Sequence, residues 1–166
     1  MMALSGHEHR IDVKQNRQNT RTLEIMSRTD MLSDVRAFVS EAAKEFGFSM
    51  DDIAKIELAV DEACTNIIKH AYRFDPAGRI TIRVSFVFER TPRFVVSIFD
   101  NGITFDSSKY SAPDMKEYFM QLRHGGLGIL LMKKLMDKVE YRTSGNDKNL
   151  IVLTKYLSAN SGLRAN

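Results

Sequence analysis

Apolar positions along this chain recur in two rhythms, one helical and one alternating. From about Met50 to Tyr72, Ile53, Ile56, Val60, Ala63, Ile67 and Ala71 fall at helical intervals and predict an amphipathic helix with that line facing a core. Ser49 is the expected N-cap, with Asp51 and Asp52 in the first turn, where the helix dipole favours acids. An earlier helix is expected from a cap at Thr29 or Asp30 to about Phe46, with Leu32, Val35, Phe38, Val39 and Ala42 on one side and Gly47 closing it. Elsewhere the period is two. Ile80 to Phe88 (ITIRVSFVF) alternates almost perfectly, and Phe94 to Asp100 (FVVSIFD) is its expected hairpin partner across a turn holding Pro92. Leu23 and Ile25 mark a short strand; Val139 to Thr143 and Leu150 to Leu157 predict two closing strands around a turn at 144–149. A glycine-rich start leads into a helix from about Leu127 to Asp137.

The order strand, helix, helix, strand, strand, irregular segment, helix, strand, strand implies an α+β fold. The expected form is a two-layer sandwich, a mixed β-sheet covered on one face by helices. Residues 1–20 are polar without a sustained period and read as a flexible arm, 21–158 as the folded domain and 159–166 as a tail. Residues 103–126 carry Ser107, Ser108, Ser111 and Pro113, with a short helix expected around Asp114 to Leu122. An irregular segment of that length inside a domain is usually functional, often a lid.

Composition narrows the classes. The 166 residues, 43% hydrophobic and 27% charged, suit a single globular domain. The formal charge of +3 is spread without a basic block or interleaved aromatics, so direct nucleic-acid binding is not expected. One cysteine, Cys64, excludes an intramolecular disulfide; its place on the apolar side of a helix predicts a packed thiol. No apolar run approaches a membrane span and no secretory signal is apparent, so a cytoplasmic location is expected. His7 and His9 lie in the arm with no third ligand in view, as in a solvated tail.

Three short motifs carry the candidate chemistry. Glu62 and Asn66, four apart, share a helix face away from the apolar line. That places either an ordinary solvated face or a proton acceptor beside an oxygen ligand for a hard cation such as magnesium. Asp100, Asn101 and Gly102 form D-x-G at a strand end. This is either a structural turn or a buried carboxylate accepting from an exocyclic amine such as adenine's, with Gly102 allowing close approach. Gly125, Gly126 and Gly128 open a helix whose backbone amides would cradle phosphates. Neither a Walker loop nor the dinucleotide fingerprint is present. Each motif alone is weak; their order, with a long segment between the second and third, is a stronger signal.

These stretches, VDEACTNIIKHAY, IFDNGITFD and RHGGLGILLMKKLMDKVEY, resemble the GHKL ATPases of the Bergerat, or histidine-kinase-like, fold. Within them the chain is most similar to the bacterial anti-sigma factor serine/threonine kinases, over about Thr22 to Leu157. Without a phosphoacceptor-histidine helical domain among these residues, a complete sensor histidine kinase is not expected. The resemblance implies ATP and Mg2+ as cofactors, with Glu62 as general base, Asn66 as magnesium ligand and Asp100 on adenine with Gly102 beside it. Gly125, Gly126, Leu127 and Gly128 would line the phosphates, and Arg123 would meet the γ-phosphate. His70 would shape the rim, with Lys69 facing solvent. It further implies transfer of phosphate to a Ser/Thr of a STAS-domain anti-anti-sigma protein, sequestration of a sigma factor, and a homodimer. Arg36 on the first helix is a candidate partner contact. The alternative is a non-catalytic, ATP-gated binding module. One departure stands out: related sites often carry Gly-Thr entering the last strand, whereas here the region reads Asp147-Lys148-Asn149-Leu150, with Thr154 further along.

Overall fold

The computed structural model describes residues 14–16, 19–104, 127–144 and 148–158. The strands are β1 (Lys14–Asn16), β2 (Thr20–Met26), β3 (Arg79–Val87), β4 (Arg93–Asp100), β5 (Lys138–Ser144) and β6 (Lys148–Tyr156). The helices are α1 (Leu32–Phe46), α2 (Met50–Asn66) and α3 (Leu127–Leu135). The six strands form one sheet in the order β1-β2-β3-β4-β6-β5. The expected mixed sheet is in fact antiparallel at every pairing. The crossover through α3 does leave β4 and β5 running the same way, but β6 inserts between them and removes the one parallel contact.

Period-two alternation sets the faces. Ile80, Ile82 and Val84 of β3 stand opposite Asp100, Ile98 and Val96 of β4, and all six are buried. Leu23 and Ile25 of β2, and Ile151 and Leu153 of β6, extend this face. Val35, Val39 and Ala42 of α1 and Ile56, Val60 and Ala63 of α2 join the same core. Phe38 and Ala71, expected in that core, are only half-buried and pack at its edge. At the end of the sheet away from Asp100, Phe46 stacks on Phe86 with centroids 5.2 Å apart and touches Phe48, Phe88 and Phe94.

The elements begin and end where local hydrogen bonds dictate. Ser49 caps α2 as expected, its Oγ accepting from the Asp52 amide at 3.2 Å. Neither Thr29 nor Asp30 caps α1: a 3-10 turn at Thr29–Met31 comes first, and the Asp30 carboxylate is held by Arg28, with Nε at 3.0 Å. α3 stops at Leu135 because the Asp137 amide donates to the Thr154 carbonyl at 3.0 Å, and its carboxylate accepts from the Tyr156 amide at 2.6 Å. The expected arm at 1–20 contains β1, a polar edge strand (Lys-Gln-Asn) held by backbone pairing to Thr20–Thr22 and so without a hydrophobic signature. The expected helix through Tyr72 changes character after Asn66, widening into a π-helical turn at Ile67–Ala71 with the Tyr72 amide donating to the Ile67 carbonyl at 3.0 Å. Arg73 and Phe74 follow at φ of 51° and 64°, a left-handed pair that breaks the helix.

Cys64 is fully buried on α2, and burial pushes its thiol up to about 12. The thiol therefore stays protonated near neutrality. Iodoacetamide at pH 8 is expected to leave the native protein unmodified and to label it fully in denaturant, a difference read by intact mass. Labelling of the native chain at the rate of a free thiol would contradict this packing.

Candidate active site

The end of β4 meets the start of β6 and the π-helical turn that follows α2, while α2 itself carries the start of α3 against Glu62. Asp100 closes β4 on the helix-covered face and is only 4% exposed. Its Oδ1 accepts from the Gly102 amide at 2.8 Å and from Asn149 Nδ2 at 2.9 Å, while Oδ2 accepts no bond from the described residues. Burial raises the Asp100 pKa above the ordinary aspartate value, and the bonds from Asn149 and the Gly102 amide oppose that rise.

Gly102 presses the D-x-G turn onto the π-helical turn that follows α2. A Cβ there would lie 2.6 Å from the Ala71 carbonyl oxygen, and the next amide, of Ile103, donates to that oxygen at 2.9 Å. Tyr72 ties the same corner: its hydroxyl accepts from the Asn101 amide at 2.9 Å and donates to the Arg79 carbonyl at 2.7 Å. Gly78 makes room for the ring, since a Cβ would lie 2.5 Å from Tyr72 Cδ1. The π turn, Tyr72 and D-x-G thus form one rigid corner beside Asn66. Sequence patterning missed Tyr72, whose only signal is its place in the quoted HAY stretch.

Glu62 and Asn66 are both half-buried on α2. Gly128, in the first turn of α3, lies directly against Glu62: a Cβ on Gly128 would overlap its carboxylate, 2.5 Å from Cδ. The α3 N-terminus, where backbone amides and the helix dipole favour anions, is therefore built against the expected base. Gly128→Ala is expected to displace Glu62 and lower phosphoryl transfer at least tenfold, and the larger Gly128→Ser to lower it further; single-turnover rates of the two variants check this order. A wild-type rate in Gly128→Ala would show that the close approach is idle.

Leu127 opens α3 and is partly exposed. Arg123, Gly125 and Gly126, with most of the expected lid and its short helix, lie outside the described residues, as do His7 and His9. Lys69 and His70 are exposed at the π turn. Arg36 Nη1 bonds Asp61 Oδ1 at 2.5 Å, tying α1 to α2. Thr154 pairs with Val95 on the opposite face of the sheet, so it does not reach Asp100. Asn149 does, standing directly across from Asp100 in the β4–β6 register. Its signal in the sequence was the departure from Gly-Thr, which could be placed only once the register was known.

The arrangement fits a purine nucleotide with magnesium. A buried carboxylate presents one oxygen without a bond from the described residues to an exocyclic amine, a helix N-terminus offers amides for phosphates, and Asn66 offers a hard oxygen one turn from Glu62. Among the described residues no group of three or more His, Cys, Asp or Glu could hold a metal ion, so a cation here would take most of its ligands from phosphates and water. Among them, too, no helix is long and apolar enough to cross a membrane.

The family model described as the histidine kinase-like ATPase domain matches residues 25–155. The serine-protein kinase RsbW of Bacillus velezensis is 35% identical over 141 residues, spanning 82% of this chain and 84% of that protein. RsbW of Bacillus licheniformis is 38% identical over 128 residues, 75% of this chain and 77% of that protein. Among solved structures, the RsbU and RsbW domains of a Mycobacterium tuberculosis protein share the fold at TM-score 0.56 and 20% identity, over 81% of this chain and 32% of that one. The SiaB–SiaC complex of Pseudomonas aeruginosa matches at TM-score 0.55 and 13% identity, over 85% and 92%. With the site's geometry and these relatives together, the chain belongs to the histidine kinase-like ATPase family and, within it, to the RsbW group of serine-protein kinases.

Proposed function

We propose that this protein uses ATP and Mg2+ to phosphorylate a serine or threonine of a STAS-domain anti-anti-sigma protein, and that it sequesters a sigma factor when that partner is phosphorylated. The observation that carries the reading is the approach of Gly128 to Glu62, which sets a carboxylate against the N-terminus of α3, where phosphates would be held. ATP supplies the phosphoryl group and magnesium neutralises its charge when bound. The chain's residues do the rest. Asp100 orients the base through an amine, Asn66 offers the metal its carboxamide oxygen, and Glu62 accepts the proton of the attacking hydroxyl. Gly102, Leu127 and Gly128 shape the walls, and Arg123, Gly125 and Gly126 complete the phosphate side in this reading.

The RsbW relatives support a kinase, and a carboxylate at position 62 is what a purely gated binding module would not need. On the family pattern the protein is a cytoplasmic homodimer, and Arg36 contributes to the partner surface beside its ion pair with Asp61. Purified full-length chain, labelled ATP-Mg and a set of STAS-domain proteins test the proposal. Label transferred to a serine or threonine of one of them supports it. Binding of ATP and a sigma factor with transfer to no STAS protein would establish the gated module instead.

A further inference from the structure

β2 is paired along its whole length on one side and for less than half of it on the other. Thr20 to Met26 all have partners in β3, whereas β1 reaches only Thr20, Arg21 and Thr22. Beyond Thr22 no strand among the described residues lies on the outer edge, so the alternate amides and carbonyls of Leu23–Met26 that face outward have no ladder partner there. Three residues is also short for a strand, about five or six being usual. α1 overhangs this edge. It runs back against the direction of β2, and the Arg21–Glu45 ion pair fixes its last turn over Arg21. Phe38 lies two turns before Glu45 on the same flank, about 10 Å back along the axis, which is about three strand residues. That sets it beside Leu23–Ile25. It stays half-buried there, while Leu32, Val35, Val39 and Ala42 of the same helix are buried.

The residues just before Lys14 read Arg10-Ile11-Asp12-Val13. Carrying the β1–β2 register onward sets Val13 opposite Leu23, Asp12 opposite Glu24 and Ile11 opposite Ile25. Opposed residues of an antiparallel pair share a face, so Val13 and Ile11 fall on the helix-covered side with the buried Leu23 and Ile25. Asp12 falls on the open side against Glu24, whose charge Arg79 offsets at 2.5 Å. We propose that the N-terminal arm docks on its own domain as an edge strand, Ile11–Val13 extending β1 along β2 and packing Ile11 and Val13 beneath Phe38. The occupant is the chain's own arm, because Val13 is joined directly to the paired Lys14 and needs no linker to reach Leu23. The arm thereby closes an edge that would otherwise accept a strand from a second chain. This inference is independent of the nucleotide reading.

Two cysteine pairs in the full-length chain test the register, the native Cys64 being buried. Opposed residues lie within disulfide reach, and diagonal ones, at about 7–8 Å, lie outside it. Asp12→Cys with Glu24→Cys is expected to oxidise at least tenfold faster than Asp12→Cys with Thr22→Cys, and within one chain, as read by intact mass and non-reducing gels. In a full-length chain carrying Ile11→Asp and Val13→Asp, hydrogen exchange at alternate amides of Leu23–Met26 is expected to rise at least tenfold over wild type. Equal oxidation rates for the two pairs, or unchanged exchange, would overturn the proposal. Disulfide-linked dimers as the main product would assign the edge to the arm of a second copy and overturn it as well. If the double-aspartate chain does not fold, the cysteine pairs decide alone.

Discussion

Glu62→Gln is expected to lower phosphoryl transfer about a hundred- to ten-thousand-fold while leaving ATP affinity within a few-fold of wild type. The carboxamide keeps the shape that fills the space beside Gly128 but cannot take the proton of an attacking hydroxyl. Asn66→Ala should behave differently, weakening magnesium-nucleotide binding as well as turnover, because it removes an oxygen offered to the metal. Single-turnover transfer rates and calorimetric affinities for the two variants separate the roles. A Glu62→Gln protein that phosphorylates its partner at the wild-type rate would show that Glu62 is not the base.

Asp100→Ala is expected to cost ATP roughly ten- to a hundredfold in affinity, the value of about 1.5–3 kcal/mol for a hydrogen bond to a charged group. ATP should also be preferred to GTP, because guanine turns a carbonyl toward the carboxylate where adenine turns an amine. The pH dependence gives a second handle. Because burial raises the Asp100 pKa, the ionised carboxylate weakens the fold at neutral pH, and this cost is relieved as pH falls through the raised pKa. Nucleotide binding runs the other way, since protonation removes an acceptor. ATP affinity should therefore decline on acidification before ordinary aspartates titrate, and Asp100→Asn should lack that decline. A flat affinity profile in the wild-type protein, or equal ATP and GTP affinities, would count against Asp100 as the base-reading group.

The fold was legible wherever one face is buried. Alternation in ITIRVSFVF and FVVSIFD gave β3, β4 and their pairing, and the Ile53–Ile67 line gave the buried side of α2. What stayed hidden depends on backbone geometry between distant segments. β1 carries no apolar residue, so nothing in Lys-Gln-Asn announced a strand. The π turn after Asn66 arises where the helix end meets D-x-G, a contact invisible in either stretch alone. Glu62 on α2, Asp100 at the end of β4 and Gly128 at the start of α3 lie on the elements that patterning predicts, because each motif is local. Asn149 and Tyr72 were not assigned roles, because their partners lie 49 and 29 residues away and only the register of β4 with β6 and the packing of the π turn bring them together.

In the proposed mechanism the residues of α2, β4 and the α3 N-terminus together hold a magnesium–adenine nucleotide. A crystal structure of the full chain with a non-hydrolysable ATP analogue and magnesium tests it most directly. The adenine amine is expected within hydrogen-bond distance of Asp100 Oδ2, the metal on the Asn66 carboxamide oxygen, and the phosphates at the start of α3 beside Gly128. A nucleotide bound elsewhere, or one whose base does not meet Asp100, would contradict it.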